Sequence, residues 1–259
     1  MKQKLQLNII HEDDDLIIID KPAGLLSIPD RFRKEAPNLY IMLKNKFEDI
    51  FVVHRLDLDT SGVMVFCKNA EAHRNLNMQF DSHDVKRIYH VVVAGIVQED
   101  EMSIDIPLLD HPTIKGKMIP SARGKESLTV LRVLERYRIA SLVQCELITG
   151  RHHQIRTHCA AIGHQLIVDG MYGQNENFML STIKRRYNIR KNEIEKPIIS
   201  RVSMHSKQLE FLHPSSNELV KFTSEYPKDF AALTQVLQKY SAIGSYMKTE
   251  DGFGKYFKE

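Results

Sequence analysis

Short apolar runs closed off by turn-forming residues constrain this chain more than any other feature. Leu16-Ile17-Ile18-Ile19 is a β-branched run that meets Asp20-Lys21-Pro22-Ala23-Gly24, a turn sequence. Val63–Cys67, Ile88–Val93 and Leu142–Leu147 have the same strand-forming composition. Helical spacing marks Asn38–Phe47 through Leu39, Met42, Leu43 and Phe47, and Asn69 is placed to cap a helix through Leu76 and Phe80. Gln154–Ile162 reads as a helix stopped by Gly163. Pro227 suits the first turn of a last amphipathic helix with Phe230, Leu233, Val236 and Leu237 on one side. Strands outnumber helices, and the helices fall between groups of strands. That order predicts an α+β fold with a mixed, mainly antiparallel sheet flanked by helices and loops.

The remaining composition narrows the class. The 259 residues contain no internal repeat and no linker rich in Pro, Gly or Ser, so a single domain over residues 1–259 is expected. No apolar stretch is long enough to span a membrane, and Met1–Asp15 lacks the apolar region of a signal peptide. Cys67, Cys145 and Cys159 are odd in number and far apart, which argues against a disulfide framework and for the cytoplasm. A net charge of +3 is too small to identify a partner by itself. Its distribution says more. Lys184, Arg185, Arg186, Arg190, Lys191, Lys196 and Arg201 face only Glu176, Glu193 and Glu195 in one segment.

Chemistry-bearing side chains concentrate in two places. The first is His54-Arg55-Leu56-Asp57-Leu58-Asp59-Thr60-Ser61-Gly62, a polar loop between apolar Phe51-Val52-Val53 and the strand beginning at Val63. Thr60 and Ser61 are expected to hydrogen-bond the loop backbone, leaving Asp57 as a nucleophile or general base. An ordinary Asx or Ser/Thr turn fits the same composition. The second is Thr149-Gly150-Arg151-His152-His153-Gln154-Ile155-Arg156-Thr157-His158, where an arginine could pair with Asp57 and favour its ionised form. Zinc on His152, His153, His158 and Cys159 would need a spacing unlike the common ligand patterns. Ser61 as a serine nucleophile lacks the Gly-x-Ser-x-Gly elbow.

Taken in order, these segments resemble the RluA family of RNA pseudouridine synthases. His54-Arg55-Leu56-Asp57 with Thr60-Ser61-Gly62 is similar to the family's signature loop, and Asp20-Lys21-Pro22 with Gly24 to its first motif. Lys86-Arg87-Ile88-Tyr89 followed by Val93-Ala94-Gly95 resembles its tyrosine-bearing strand. Gly124-Lys125 through Thr129, Gly150 through His158, Gly163-His164, His205, Leu209, Phe211 and His213-Pro214 continue in the family's order. The likeness runs over a core of residues 9–230, with a helix and tail at 227–259. Gln165 and Val168 depart from the pattern, standing where the family usually has proline and glycine.

The resemblance implies an isomerase that converts uridine to pseudouridine in structured RNA and needs no cofactor and no metal. Asp57 matches the catalytic aspartate; attack at sugar C1′ or at base C6 would use the same carboxylate. Tyr89 matches the tyrosine that stacks on the flipped base, and Arg156 the arginine that ion-pairs with the aspartate. Arg55 matches the arginine that enters the RNA stack, Ile155 packs against uracil, and His54 and Arg151 shape the loop or contact phosphate. Lys184, Arg185 and Arg186 are expected to bind RNA backbone. The implied partner is a large-subunit rRNA or a tRNA stem-loop, with no membrane and no obligate protein partner, the chain acting as a monomer. Gly24-Leu25-Leu26-Ser27-Ile28-Pro29 points to the RluA-like subgroup, without an extra amino-terminal S4 RNA-binding domain. A non-catalytic RNA-binding protein or chaperone on the same fold is the rival, and a hydrolase using Asp57 or Ser61 ranks last.

Overall fold

The computed structural model describes residues 7–30, 35–188 and 193–243. The chain opens with β1 (Asn8–Glu12), β2 (Leu16–Lys21), α1 (Leu39–Lys44), β3 (Phe51–Val52), β4 (Ser61–Cys67) and α2 (Ala70–Asp81). β5 (Lys86–Ala94), β6 (Glu101–Asp105), β7 (Leu108–Asp110), β8 (Met118–Pro120), β9 (Leu128–Arg136) and β10 (Ala140–Leu147) follow. α3 (Gln154–Ala161), β11 (Met204–Leu212), β12 (Leu219–Thr223) and α4 (Lys228–Ser241) complete it.

Among the described residues, the sheet has ten strands in the order β1-β2-β4-β11-β5-β10-β9-β6, with β3 added to β4 and β12 to β11. β4 and β11 run parallel; the other pairs are antiparallel. This is the mixed, mainly antiparallel α+β architecture that the strand runs predict. β4 is buried at every position, which is why Val63–Cys67 is continuously apolar, whereas β1 alternates as a half-buried edge strand does. β7 and β8 form a separate two-stranded ribbon.

The helix caps follow the chemistry of the sequence. The Asn38 and Asn69 side chains accept from the backbone N–H of Ile41 at 2.9 Å and of Ala72 at 2.8 Å. Pro227 lies one position earlier than expected: it is the N-cap of α4, outside the first turn. Phe230, Leu233 and Leu237 of α4 are fully buried beside Tyr137 and Ile167, and Val236 packs on that cluster. Val168, one of the two departures from the family pattern, fills the same cluster. The other, Gln165, gives its carbonyl to the Ala94 N–H at 2.8 Å.

Two features of the sheet position the polar loop. Gly62 pairs with Ser206 where β4 lies beside β11, at φ +114°, and a Cβ there would sit 2.1 Å from the Ser206 carbonyl oxygen. Only glycine permits that approach. The largest apolar cluster joins Leu56, Tyr89 and Ile155 to Ile17, Leu39, Met64 and Val91, so the loop, β5 and α3 share one core. Among the described residues, no helix is long and apolar enough to cross a membrane.

Candidate active site

The loop carrying Asp57 is held from below by backbone-directed bonds. The Ser27 hydroxyl donates to Leu56 O at 2.7 Å and accepts from Leu56 N at 3.0 Å. Lys21 is fully buried, and its ammonium donates to the carbonyls of Pro22 at 3.0 Å, Leu25 at 2.7 Å and Leu58 at 3.1 Å. Burial pulls the Lys21 pKa down to about 8, against the opposing charges of Asp59 and Asp57. Thr60 N–H closes a turn on Asp57 O at 3.1 Å. The expected side-chain bonds from Thr60 and Ser61 to the loop are not made. Among the described residues, the buried Thr60 hydroxyl has no hydrogen-bond partner, and Ser61 Oγ pairs instead with His205 Nδ1 at 2.9 Å, because β4 has already begun at Ser61.

His54 is a loop anchor. Its Nε2 accepts from Val65 N–H at 3.1 Å, and its ring stacks on Phe80 with centroids 5.1 Å apart. Burial, aided by the Arg87 charge, pushes its pKa down to about 3, so the ring is neutral and has no charge to offer a phosphate.

Arg156 lies in the first turn of α3, and its nearest carboxylate is one that the motif comparison did not assign. Its Nε and Nη2 grip both oxygens of fully buried Asp169, at 2.6 and 2.7 Å. Its Nη1 donates to His153 Nε2 at 2.8 Å and stands 4.0 Å from Asp57 Oδ2. The expected contact with Asp57 is therefore long, and the short pair is with Asp169. Burial alone would raise the Asp169 pKa, but Arg156 and the N–H groups of Met171 and Tyr172 hold it below the usual carboxylate range.

His153 also stands beside Asp57. A guanidinium can only donate, so His153 Nε2 is unprotonated and its Nδ1–H faces the Tyr172 hydroxyl at 3.0 Å. Burial, with the nearby Arg156 charge, pushes the His153 pKa down to about 4. Its Nε2 is 3.6 Å from Asp57 Oδ2. Backbone φ is +51° at His153, which turns the chain into α3. Gln154 locks that turn, accepting from Thr149 Oγ1 and Arg151 N while donating to Leu128 O and Thr129 Oγ1.

These elements enclose a cavity of about 770 Å³, within the usual size range of small-ligand pockets. Asp57, Tyr89, Ile155, Arg156, His54, Arg55 and Arg151 all line it. Tyr89 is almost completely buried, and burial raises its phenol pKa to about 12. Arg55 is exposed at the rim, as is Arg151, whose Nε donates to Glu126 O at 3.0 Å. Lys184, Arg185 and Arg186 are not in the lining. They follow a 3₁₀ turn at Leu180–Thr182, and the Lys184 ammonium lies over the Tyr187 and Tyr240 rings at 5.7 and 5.6 Å. Arg190 and Lys191 lie outside the described residues.

The four zinc candidates are not brought together. His158 is turned to Thr129 Oγ1 and Ile106 O, and Cys159 is in the core beside Cys145. Asp57, His152 and His153 do offer ligand atoms within 4.8 Å of one another. Arg156 already occupies the His153 lone pair there and sets a positive charge against any cation. The sequence does not single out Asp169, Tyr172 or Arg87, and it offers His153 only as a zinc ligand. His153 stood inside the densest motif, while Asp169 and Tyr172 sit in coil with no periodicity to mark them.

The cavity thus holds a carboxylate on a pinned loop and a buried tyrosine, with exposed arginines at its rim. Residues 15–161 match the family model described as RNA pseudouridylate synthase. A ribosomal large subunit pseudouridine synthase D from Nitrosomonas europaea is 35% identical over 243 residues, 91% of this chain and 67% of that protein. A dual-specificity RNA pseudouridine synthase RluA from Vibrio vulnificus is 35% identical over 217 residues, 82% of this chain and 80% of that one. The solved structure of human RNA pseudouridylate synthase domain containing 1 superposes with a TM-score of 0.65 at 25% identity, over 88% of this chain and 87% of that one. The chain belongs to the RluA family of RNA pseudouridine synthases. The activity that membership carries is an isomerase reaction on RNA, uridine to pseudouridine.

Proposed function

We propose that Asp57 is the nucleophile of this isomerisation, acting on a uridine flipped out of its RNA stack into the cavity it shares with Tyr89. The observation that carries this reading is the Asp57 carboxylate in that cavity, 3.6 Å from a neutral imidazole and 4.0 Å from a guanidinium that Asp169 holds in place. In the sugar route, an Asp57 oxygen bonds to C1′ as the C1′–N1 bond breaks and uracil leaves with the electron pair. After the base rotates, C5 bonds to C1′, the Asp57 ester breaks, C5 loses its proton and N1 gains one. In the alternative route the same carboxylate adds first to C6. Product and substrate are isomers, so no cofactor enters the balance.

Tyr89 supplies the stacking face and Ile155 the apolar contact for the ring. Arg156 acts as a charge partner and positions Asp57. Arg55 at the rim enters the RNA stack, and Arg151 contacts phosphate. Lys184, Arg185 and Arg186 bind backbone beyond the cavity. The substrate is a loop uridine of large-subunit rRNA or of a tRNA stem-loop, because unstacking costs least in loops. One relative is a ribosomal large subunit enzyme and another a dual-specificity RNA enzyme, which supports an rRNA substrate. The chain acts as a monomer without an obligate protein partner.

Tritium release from total tRNA and from rRNA, each labelled at uridine C5, tests the reading, because rebonding at C5 expels that label. Release from one pool identifies its RNA class. No release from either, with RNA binding intact, returns the protein to the non-catalytic RNA-binding alternative, which no observation here favours.

A further inference from the structure

Arg87 is a buried cation in the wall of the cavity, without a counter-ion among the described residues. It lies on β5 two residues before Tyr89, so both side chains leave the same face of the sheet. It is 8% exposed and lines the cavity with Asp57. Its Nη2 donates to Leu147 O at 3.2 Å and Ile148 O at 2.9 Å, while its buried Nε has no hydrogen-bond partner. Among the described residues, Nη1 makes no hydrogen bond and no carboxylate pairs with the guanidinium; the nearby Glu146 pairs with Lys86 at 3.9 Å. The Phe80 ring backs the group at 5.6 Å. Gly150 leaves it room, since a Cβ at that position would meet Arg87 Nη1 at 2.5 Å.

Burying a cation without an opposing charge is costly. Such a group is well placed when an anion forms beside it during turnover. The proposed reaction makes that anion. In the sugar route, uracil departs with the N1 electron pair, and the charge spreads to its carbonyl oxygens. In the base route, addition at C6 puts the charge on C5 and O4. Either way, a neutral base becomes an anion inside the cavity while the carboxylate that began with the charge is consumed.

We propose that Arg87 is a further catalytic residue, whose free guanidinium N–H groups bind the uracil carbonyl oxygens as negative charge develops on the base. The assignment rests on the isomerase reading above and adds to it the group that stabilises the detached ring. His54 is neutral and brings no positive charge to that role.

The test compares two leaving groups. The RNA that wild type converts is transcribed once with uridine and once with 5-fluorouridine, and loss of the N-glycoside is followed in a single turnover. Fluorine withdraws electrons and stabilises the ring anion without the enzyme's help. Arg87→Met is expected to slow uridine about 100-fold, the loss typical of removing one such donor, and 5-fluorouridine by about tenfold or less. RNA affinity and thermal unfolding should stay near wild type. Equal losses on both nucleosides, or a loss confined to RNA affinity as a phosphate contact would give, overturn the proposal. If Arg87→Met does not fold, Arg87→Lys carries the test: it keeps the charge, loses the planar fork and should show the same inequality on a smaller scale. Wild type that converts no uridine removes the isomerase reading itself, whereas active wild type with an equally active Arg87→Met removes only the role of Arg87.

Discussion

Replacing Asp169 by asparagine takes the charge from the centre of the site while leaving the local backbone its partners. Asp169 is fully buried, and its carboxylate accepts from Arg156 at 2.6 and 2.7 Å and from the N–H groups of Met171 at 2.9 Å and Tyr172 at 3.1 Å. The asparagine carbonyl can still serve those two N–H groups. Arg156, itself only 7% exposed, would be left as a buried charge without its short carboxylate contact. Breaking a buried pair from one side costs about 3–5 kcal/mol, which for a chain of this size lowers Tm by roughly 6–20 °C. Turnover should fall by about 100-fold if Arg156 Nη1 shifts by about an ångström. Because the native Asp169 pKa is held below its unfolded value, its contribution is full above the ordinary carboxylate pKa. It is lost as pH falls through the native value, so the variant should show a flatter acid limb. The assay is chemical and thermal unfolding of wild type, Asp169→Asn, Arg156→Met and the double variant. Removing Arg156 as well removes the orphaned charge, so the double variant should be no less stable than Asp169→Asn. A single-variant loss below about 1 kcal/mol, or additive losses in the double variant, would show that Asp169 does not neutralise Arg156.

Three further outcomes follow from other parts of the structure. Gly62→Ala puts a methyl group 2.1 Å from the Ser206 carbonyl at φ +114°, so unfolding experiments should show a loss of about 2–5 kcal/mol. His205 is fully buried beside Ser61, and burial pushes its pKa down to about 4. Its contribution is full above the unfolded histidine pKa and is lost as pH falls toward 4, about 2 kcal/mol between pH 7 and pH 5; a His205→Gln variant should lose that part of the pH slope. Arg185→Glu with Arg186→Glu should weaken RNA binding and reduce the salt dependence of the affinity by about one unit of slope per lost phosphate contact, and an unchanged slope would show that this turn does not face RNA.

Much of the frame could be read from residues alone because it depends on local chemistry. The asparagine caps of α1 and α2, the buried runs of β2, β4, β5 and β10, and the glycine stop after α3 each carry their signal within a few residues. β6 and β9 did not, since edge-side strands with exposed Arg132 and half-buried Glu135 among apolar residues dilute the strand pattern. The parallel pairing of β4 with β11 joins residues about 140 positions apart, and only the glycine at position 62 hints at so close an approach. The site divides the same way. Asp57, Tyr89 and Arg156 lie within recognisable motifs, but whether an arginine meets one aspartate or another depends on tertiary geometry. Asp169, 13 residues beyond Arg156 in coil, won that contact because it is fully buried and meets the guanidinium with both oxygens.

The proposed reaction requires the Asp57 carboxylate to form a bond to the substrate. Asp57→Asn keeps the shape of the side chain and removes the nucleophile. Single-turnover tritium release and RNA affinity, measured on the same preparation, test it most directly. If Asp57 is the nucleophile, RNA binding is undiminished, unfolding is unchanged and no release above background is seen from a substrate that wild type converts. Release by Asp57→Asn at a rate within tenfold of wild type would contradict that role.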